Sequence, residues 1–423
     1  MTGYVMAPAG FSGDVAVVIG RRLLSGIGAG PGLLGHRTVW PAPGRLSAKQ
    51  LMSLVQFAGI LGRGGAGFPF ARKLATALQS GNRRELVVNA AEGEPASAKD
   101  SALMLCAPHL VLDGAELVAH ALGVRTIRVV VPGERVSVQA SVEAAIADRE
   151  PYHGWAGRAG FRYEVYRTTG GFVGGQTRAA LELIEGRENL PVTDWQPAAV
   201  AGLNGRPTLL SNAETYAQVA VLRQIGPIAY RQEGTDDEPG TTLLTVAGDG
   251  PGGVVIEAPH GVRIAEVLQR CGYDDNLPVL IGGYHGTWLP VEEVKRRRLT
   301  RADLSDAGAT LGAGVILPLD PSACPVLMTA QIVEYLAGQS AQRCGPCKFG
   351  LPALADAALM LATHGGRPAR ERMTEVTGLV TGRGACAHPD GTSRMVRSLL
   401  TAFPEEVSLH ERGYCTAAAV RPA

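Results

Sequence analysis

Two groups of residues have types and spacings that could do chemistry. Residues 62–69 read GRGGAGFP, with four glycines in the first six positions. Glycines at that density let bare backbone lie flat against a ligand, because no Cβ intervenes. Their amides, with the start of the following helix, can hold a phosphate or another polar group. Arg63 and Lys73 would add charge complementarity. A structural turn is the competing reading of the same residues. The second group is a set of thiols. Cys344 and Cys347 form a C-x-x-C pair, and Cys386 follows in the same C-terminal stretch. An odd total of seven cysteines favours free or metal-bound thiols over a disulfide framework. The other four, Cys106, Cys271, Cys324 and Cys415, read as small core hydrophobes or inert thiols.

The elements that must position these groups follow from periodicity. Residues 46–61 carry apolar residues at helical spacing, with Ser47 as N-cap. The glycine loop comes next, then a helical run RKLATALQ and a strand at 85–90. A helix at 110–123, a strand at 126–132, a helix at 136–150 and a strand at 161–167 continue the alternation. Residues 176–186 and 212–225 read as two more helices. This alternation predicts an α/β domain with a mostly parallel sheet over residues 1–235, its first 45 residues irregular. At about residue 236 a polar, Gly-containing stretch, EGTDDEPG, marks a boundary. Short strands crossed by one helix follow, which fits a small β-grasp-like module at 236–325. From 326 to 423 four amphipathic helices suggest a small bundle.

Composition narrows the function classes. A net charge of +1 does not advertise a nucleic-acid or anionic-membrane surface. Aromatics at 5% argue against a carbohydrate-binding or single-strand-stacking face. No run approaches the roughly 20 apolar residues of a membrane span, and no secretory signal is visible, so a cytoplasmic location is expected. Glycine is the outlier: its 55 copies are nearly twice the usual share of about 7%. His109, His260 and His285 read as turn or surface histidines. The run KRRRL at 295–299 reads as a solvated face, or as a docking patch for an acidic partner such as a ferredoxin.

The glycine loop followed by Lys73 resembles the FMN-binding loop of the NADH-binding flavoprotein subunit of respiratory complex I. Related subunits of soluble hydrogenases and formate dehydrogenases carry the same loop. The resemblance continues through VVNAAEGEPASAKD (87–100), TTGGFVGGQTRAALELIEG (168–186) and GRPTLLSNAET (205–215), in the family's order. Residues 236–325 resemble its SLBB module, and the C-terminal helices resemble its iron–sulfur domain. The resemblance implies an FMN-dependent oxidoreductase subunit, passing electrons between NADH and an iron–sulfur carrier within a hetero-oligomer, peripheral to a membrane complex where it joins one. Alternatives are a paralogue exchanging electrons with a ferredoxin, or a scaffold that kept only the fold. Position by position, the flavin site would use Gly62, Arg63, Gly64, Lys73, Asn89, Glu92, Gly175, Asn212 and Thr215. Phe68 and Glu94 are also kept.

Departures from the family cluster on the nicotinamide side. Ala91 replaces an Asp, Phe172 a Tyr, and Gln176 and Thr177 a Glu-Glu pair. Arg178 replaces the next Thr, and Leu74 and Ala75 stand where an aromatic follows the loop lysine. Asp194 and Pro197 align with a Lys and a Phe that hold the dinucleotide, and Trp195 is a replacement stacking candidate. Stacking and charge pairing for NADH are thereby thinned. The family's four-cysteine [4Fe–4S] set keeps Cys344, Cys347 and Cys386, but its first position is Ala341. Three thiolates leave several outcomes open: a [3Fe–4S] cluster, a [4Fe–4S] cluster completed by a non-cysteine ligand such as His388, zinc on the same four residues, or no metal.

Overall fold

The computed structural model describes residues 4–6, 16–150, 160–193, 196–248 and 253–417. Asp194 and Trp195 lie outside the described residues. Four strands form an all-parallel sheet in the spatial order Arg162–Arg167, Thr126–Val131, Glu85–Asn89, Thr208–Asn212. The β-branched runs of the two central strands suit a sheet covered on both faces. Pro108–Leu122 and Ala213–Tyr230 pack together on it, and Gly114 sets their crossing: a Cβ there would lie 1.8 Å from the Tyr216 carbonyl oxygen. The helix Ala48–Ala58 begins at Ser47 with a reciprocal capping box to Gln50 and ends at Gly59 in the left-handed conformation.

A second sheet has seven strands: Tyr4–Met6, Ala16–Val18, Val254–Pro259, Thr241–Val246, Val315–Pro318, Val279–Ile281 and Thr287–Leu289, in that spatial order. The expectation of an irregular N-terminus is corrected here. Ala16–Val18 runs parallel to Val254–Pro259, and Val17 is fully buried. A three-residue strand is too short for periodicity to reveal; its pairing partner comes from more than two hundred residues away. One face of this sheet packs Leu244, Ile256 and Ile316 against Ile264, Val267 and Leu304 of its own short helices. The other face packs Leu280, Trp288 and Leu317 against the C-terminal helices. There, Trp288 donates its indole N–H to Thr329 Oγ1 at 2.9 Å. The C-terminal helices are Pro325–Gly338, Leu351–Thr363, Arg367–Val380, His388–Ala402 and a short Pro404–Glu411.

Among the described residues no single helix is long and apolar enough to cross a membrane. Lys99–Cys106 and Pro108–Leu122 reach that apolarity only as a pair bent by 93°, and nearly all their residues are buried in the protein.

The histidine expectations hold only in part: His260 and His285 lie in turns and His109 in a helix, and none of the three is a surface residue. His109 is completely buried, held by the Arg149 guanidinium at 3.1 Å, and His260 is buried beside Glu238. His285 is part-buried against His388. The basic run is not a uniform solvated face. Leu299 is core, and Arg297 is buried in ion pairs with Glu293 and Asp303. Lys295 and Arg296 remain exposed.

Candidate functional site

The parallel sheet builds a crevice by its topology. From Glu85–Asn89 the chain moves to Thr126–Val131 and Arg162–Arg167 on one side, then returns to place Thr208–Asn212 on the other. The strand order therefore reverses between Glu85–Asn89 and Thr208–Asn212. Ligands of open α/β sheets bind outside the carboxyl ends of strands at such a point. Asn89 and Asn212 are register partners there, the last residue of each strand.

The glycine loop closes over this end. Leu61 and Pro69 form an antiparallel bridge, and Gly62 N–H donates to the Phe68 carbonyl at 2.9 Å. The letters of the loop satisfy G-x-G-x-x-G, but it runs between the helices Ala48–Ala58 and Phe70–Gln79 with no strand before it. Gly65 and Gly67 take left-handed φ values of 94° and 55°. A Cβ on Gly64 would meet only the Asn212 Cβ, at 3.6 Å, so the loop lies over the strand end. Gly175 approaches from the second glycine segment; its Cβ would sit 2.9 Å from the Ala91 carbonyl. Asn89 donates to the Gly175 carbonyl at 2.8 Å and accepts from Ala91 N–H at 3.1 Å, tying the segments together. Lys73 extends from its helix to the Leu210 carbonyl at 3.0 Å, and burial lowers its pKa.

Gly64, Asn89, Gly175 and Asn212 thus meet at one place, Lys73 reaches the same strand at Leu210, and Gly62 lines a neighbouring pocket with Arg63, Gly65 and Lys99. Arg63, Glu92 and Thr215 do different work. Thr215 is fully buried and accepts Arg63 N–H at 3.0 Å, while the Arg63 guanidinium turns inward to the Thr241 carbonyl at 2.9 Å. Glu92 is consumed inside the fold. Its two oxygens accept the hydroxyls of Ser97 and Ser101, the amides of Asp100 and Ser101, and the Arg135 guanidinium at 2.6 Å. Burial opposes its charge, but Arg135 and the two hydroxyls hold its pKa below the ordinary value.

Behind the crevice runs an ion network that motifs alone do not reveal. Lys99 Nζ reaches Asp100 at 2.8 Å and Glu214 at 3.0 Å. Although burial works against a charged lysine, these carboxylates hold it above its usual range. Asn212 donates to Asp100 at 2.7 Å and caps the next helix by accepting Glu214 N–H at 3.0 Å. Lys99, Asp100 and Glu214 all lie within the quoted motifs, so a signal is present in the sequence but carries no visible role there. Glu94 stands apart, accepting Tyr284 N–H at 2.9 Å, where a Cβ on Gly283 would collide with it. Burial raises its pKa to about 7. Phe68, within the loop, is 48% exposed.

The three expected thiols are brought together. Cys344 precedes a wide turn of π-helix at Pro346–Gly350 that contains Cys347, and Cys386 precedes the helix His388–Ala402. Burial and the neighbouring thiols of Cys344 and Cys386 push Cys347 up to about 12. The amides of Ala385 and Cys347 outweigh burial and hold Cys344 below its ordinary value. His388 is not poised as a fourth ligand. Both its ring nitrogens are taken, one by the Leu336 carbonyl at 2.8 Å and the other by His285 at 3.0 Å.

Residues 55–221 match the family described as the Nuo51 FMN-binding domain, and residues 327–410 match the NADH-ubiquinone oxidoreductase-F iron–sulfur binding region. A relative from Rhizobium meliloti, the second of its NADH-quinone oxidoreductase F-type subunits, is 30% identical over 390 residues, covering 89% of this chain and 92% of the relative. The chain belongs to the family of NADH-quinone oxidoreductase F-type subunits. The F-type relative from Mycobacterium tuberculosis is likewise 30% identical, over 86% of this chain and 85% of its own length. A solved chain of the NAD+-reducing NiFe-hydrogenase in its H2-reduced state superposes with a TM-score of 0.79 at 27% identity. That match covers 91% of this chain and 66% of the longer hydrogenase chain. The protein is therefore an oxidoreductase of the flavoprotein type, with an FMN-binding and an iron–sulfur-binding region.

Within this F-type family member the substituted positions have found other uses. Phe172 packs edge-on against His285 with ring centroids 4.4 Å apart, and Leu74 is buried in the core. Arg178 donates to the carbonyls of Ala201 and Gln196. The glycine cradle at the strand ends suits a flat cofactor, since the loop and Gly175 present backbone where side chains would intrude.

Proposed function

We propose that FMN is held at the reversal of strand order, with Gly62, Gly64, Asn89, Gly175 and Asn212 lining it and Lys73 and Phe68 at its margin. The observation that carries this reading is the pairing of Asn89 with Asn212 under Gly64 and beside Gly175. Bound FMN supplies a centre that takes up two electrons and releases them singly. The chain's own part is placement. The loop and Gly175 bring backbone to within contact of a planar ring system. The Lys73 ammonium, partly desolvated, favours negative charge that develops beside it. Arg63, Glu92 and Thr215 are positioning residues, holding the loop and the helix at Lys99 without facing the ligand. Glu94 sits at the border with the second sheet, as a proton-holding group near the nicotinamide side.

Electrons would then pass to an iron–sulfur centre on Cys344, Cys347 and Cys386, and on to an iron–sulfur or ferredoxin-like partner in a hetero-oligomer. In this reading residues 1–235 form the flavin unit and 236–325 the SLBB module, completed by Ala16–Val18. Residues 326–423 form the iron–sulfur unit around four helices, and the protein works on the cytoplasmic side. Leu74 in the core and Phe172 against His285 favour a second reading, in which NADH is a poor donor and a ferredoxin exchanges electrons with the flavin.

The visible spectrum of the purified protein, followed during anaerobic addition of NADH and then of reduced ferredoxin, tests both. Bleaching by NADH supports the first reading. Bleaching only by ferredoxin supports the second. Absence of flavin after reconstitution with FMN overturns both.

A further inference from the structure

A second cluster of metal-ligating side chains lies apart from the C-x-x-C turn and shares no residue with it. Cys324, Glu406, His410 and Cys415 each turn one donor atom to a common point, and the four atoms lie within 4.8 Å of one another. Three elements deliver them. Cys324 is the N-cap of Pro325–Gly338, Glu406 and His410 sit one turn apart on Pro404–Glu411, and Cys415 follows that helix. We propose that these four residues form a structural site for a single Zn²⁺ ion.

The spacing fits one ion. Cys324 Sγ lies 3.2 Å from His410 Nε2, and that nitrogen lies 3.3 Å from Glu406 Oε1. Tetrahedral zinc, with bonds of about 2.0–2.3 Å to N, O and S, sets its ligands about 3.3–3.8 Å apart. An iron–sulfur cubane, with four irons between its ligands, spreads its thiolates further than this. The mixed set of two sulfurs, an imidazole and a carboxylate also points to zinc.

The surroundings are those of a prepared site. His410 Nδ1 lies 3.2 Å from the Leu361 carbonyl. Donation there fixes the tautomer and leaves the Nε2 lone pair facing the cluster, the usual outer-shell arrangement of a zinc histidine. Leu327 N–H donates to Cys324 Sγ at 3.4 Å, at a helix N-terminus that favours a thiolate. Glu406 is oriented by Thr416, whose hydroxyl donates to Oε2 at 2.6 Å and whose amide donates to Oε1 at 3.1 Å. Cys324, Glu406 and His410 are all less than 9% exposed. Among the described residues no lysine or arginine pairs with Glu406. The one ionisable partner of this buried carboxylate is His410, and a divalent ion would supply a fixed balancing charge beside it. The ion would staple the last helix and the segment after it onto the start of Pro325–Gly338. Cys324 and Cys415 would then be ligands rather than inert thiols.

Metal analysis of the full-length protein purified from zinc-supplemented cells tests this. About one zinc per chain should survive dialysis, as tightly held structural zinc does. It should be lost in Cys324→Ser/Cys415→Ser and in His410→Gln, and kept in Cys344→Ser/Cys386→Ser. Should the double variant not fold, chelator-treated wild-type protein titrated with Co²⁺ reads the same site. It should show a thiolate-to-cobalt charge-transfer band and the strong visible bands of a tetrahedral ion. Zinc that persists in His410→Gln, absence of both zinc and the cobalt bands, or a Cys324–Cys415 disulfide in the native protein would each overturn the proposal.

Discussion

The crevice proposed for the flavin and the C-x-x-C turn are built on opposite plans. At the crevice almost every positioning group is internal and satisfied. Register pairs Asn89 with Asn212, Glu92 accepts five hydrogen bonds, and Lys99 is locked between two carboxylates. The ligand-facing surface is mostly bare glycine backbone. At the turn the chemistry-bearing thiols themselves are close together, yet a member of the family's set is missing at Ala341 and the nearest histidine is already bonded on both sides. The first site can lose a contact residue without losing its shape. The second depends on its count of ligands.

The largest cost should fall on the buried ion network behind the crevice. Lys99→Met leaves Asp100 buried without its cation and Glu214 with only the Arg63 guanidinium, 3.5 Å away. The expected loss is about 3–5 kcal/mol of stability, read from the urea midpoint. A loss under about 1 kcal/mol would mean the crevice is not held by this network. Next is Glu94, whose carboxyl holds its proton up to about 7 in the folded protein against an ordinary 4.5. The unfolded chain then releases protons first, so stability declines as pH rises from 4.5 to about 7 and stays reduced above that. Glu94→Gln should remove this decline and gain on the order of 2 kcal/mol above neutrality. Melting curves between pH 5 and 8 check it; parallel pH profiles for the two proteins would refute it.

Smaller effects are expected at the loop and at the thiols. Gly64→Ala should leave the melting temperature in place, because a Cβ there meets nothing closer than 3.6 Å. It should weaken FMN binding at least about tenfold, or about 1.4 kcal/mol, by fluorescence titration. Unchanged affinity would move the flavin away from the loop. Ala341→Cys should barely alter stability but raise iron and acid-labile sulfide per chain. If iron content does not change, position 341 does not stand where the missing first ligand belongs.

Much of this is legible in the residues because it is local. The Ser47 cap, the alternation of strands and helices and the glycine loop are written within a few positions of one another. Motifs suffice to name Asn89 and Asn212, but their meeting is a matter of sheet register. Glu92 and Thr215 belong to the expected flavin contacts, yet their polar atoms are spent on Arg135, Ser97, Ser101 and the Arg63 amide. Motif membership does not say which way a side chain turns. The short strand Ala16–Val18 escapes notice because its partner is remote in sequence.

The order of residues is thus enough for the family, the α/β core and the residue types at the crevice, since backbone propensity and glycine placement act over short range. Packing decides which of those side chains are spent on internal partners and which are left at the crevice. It also buries His109 and His260, makes His388 unavailable, and brings Cys324, Glu406, His410 and Cys415 together. The reason is common to all of these: hydrogen bonds and ion pairs are satisfied by whatever the packed chain brings within about 3 Å, and that is not encoded in spacing.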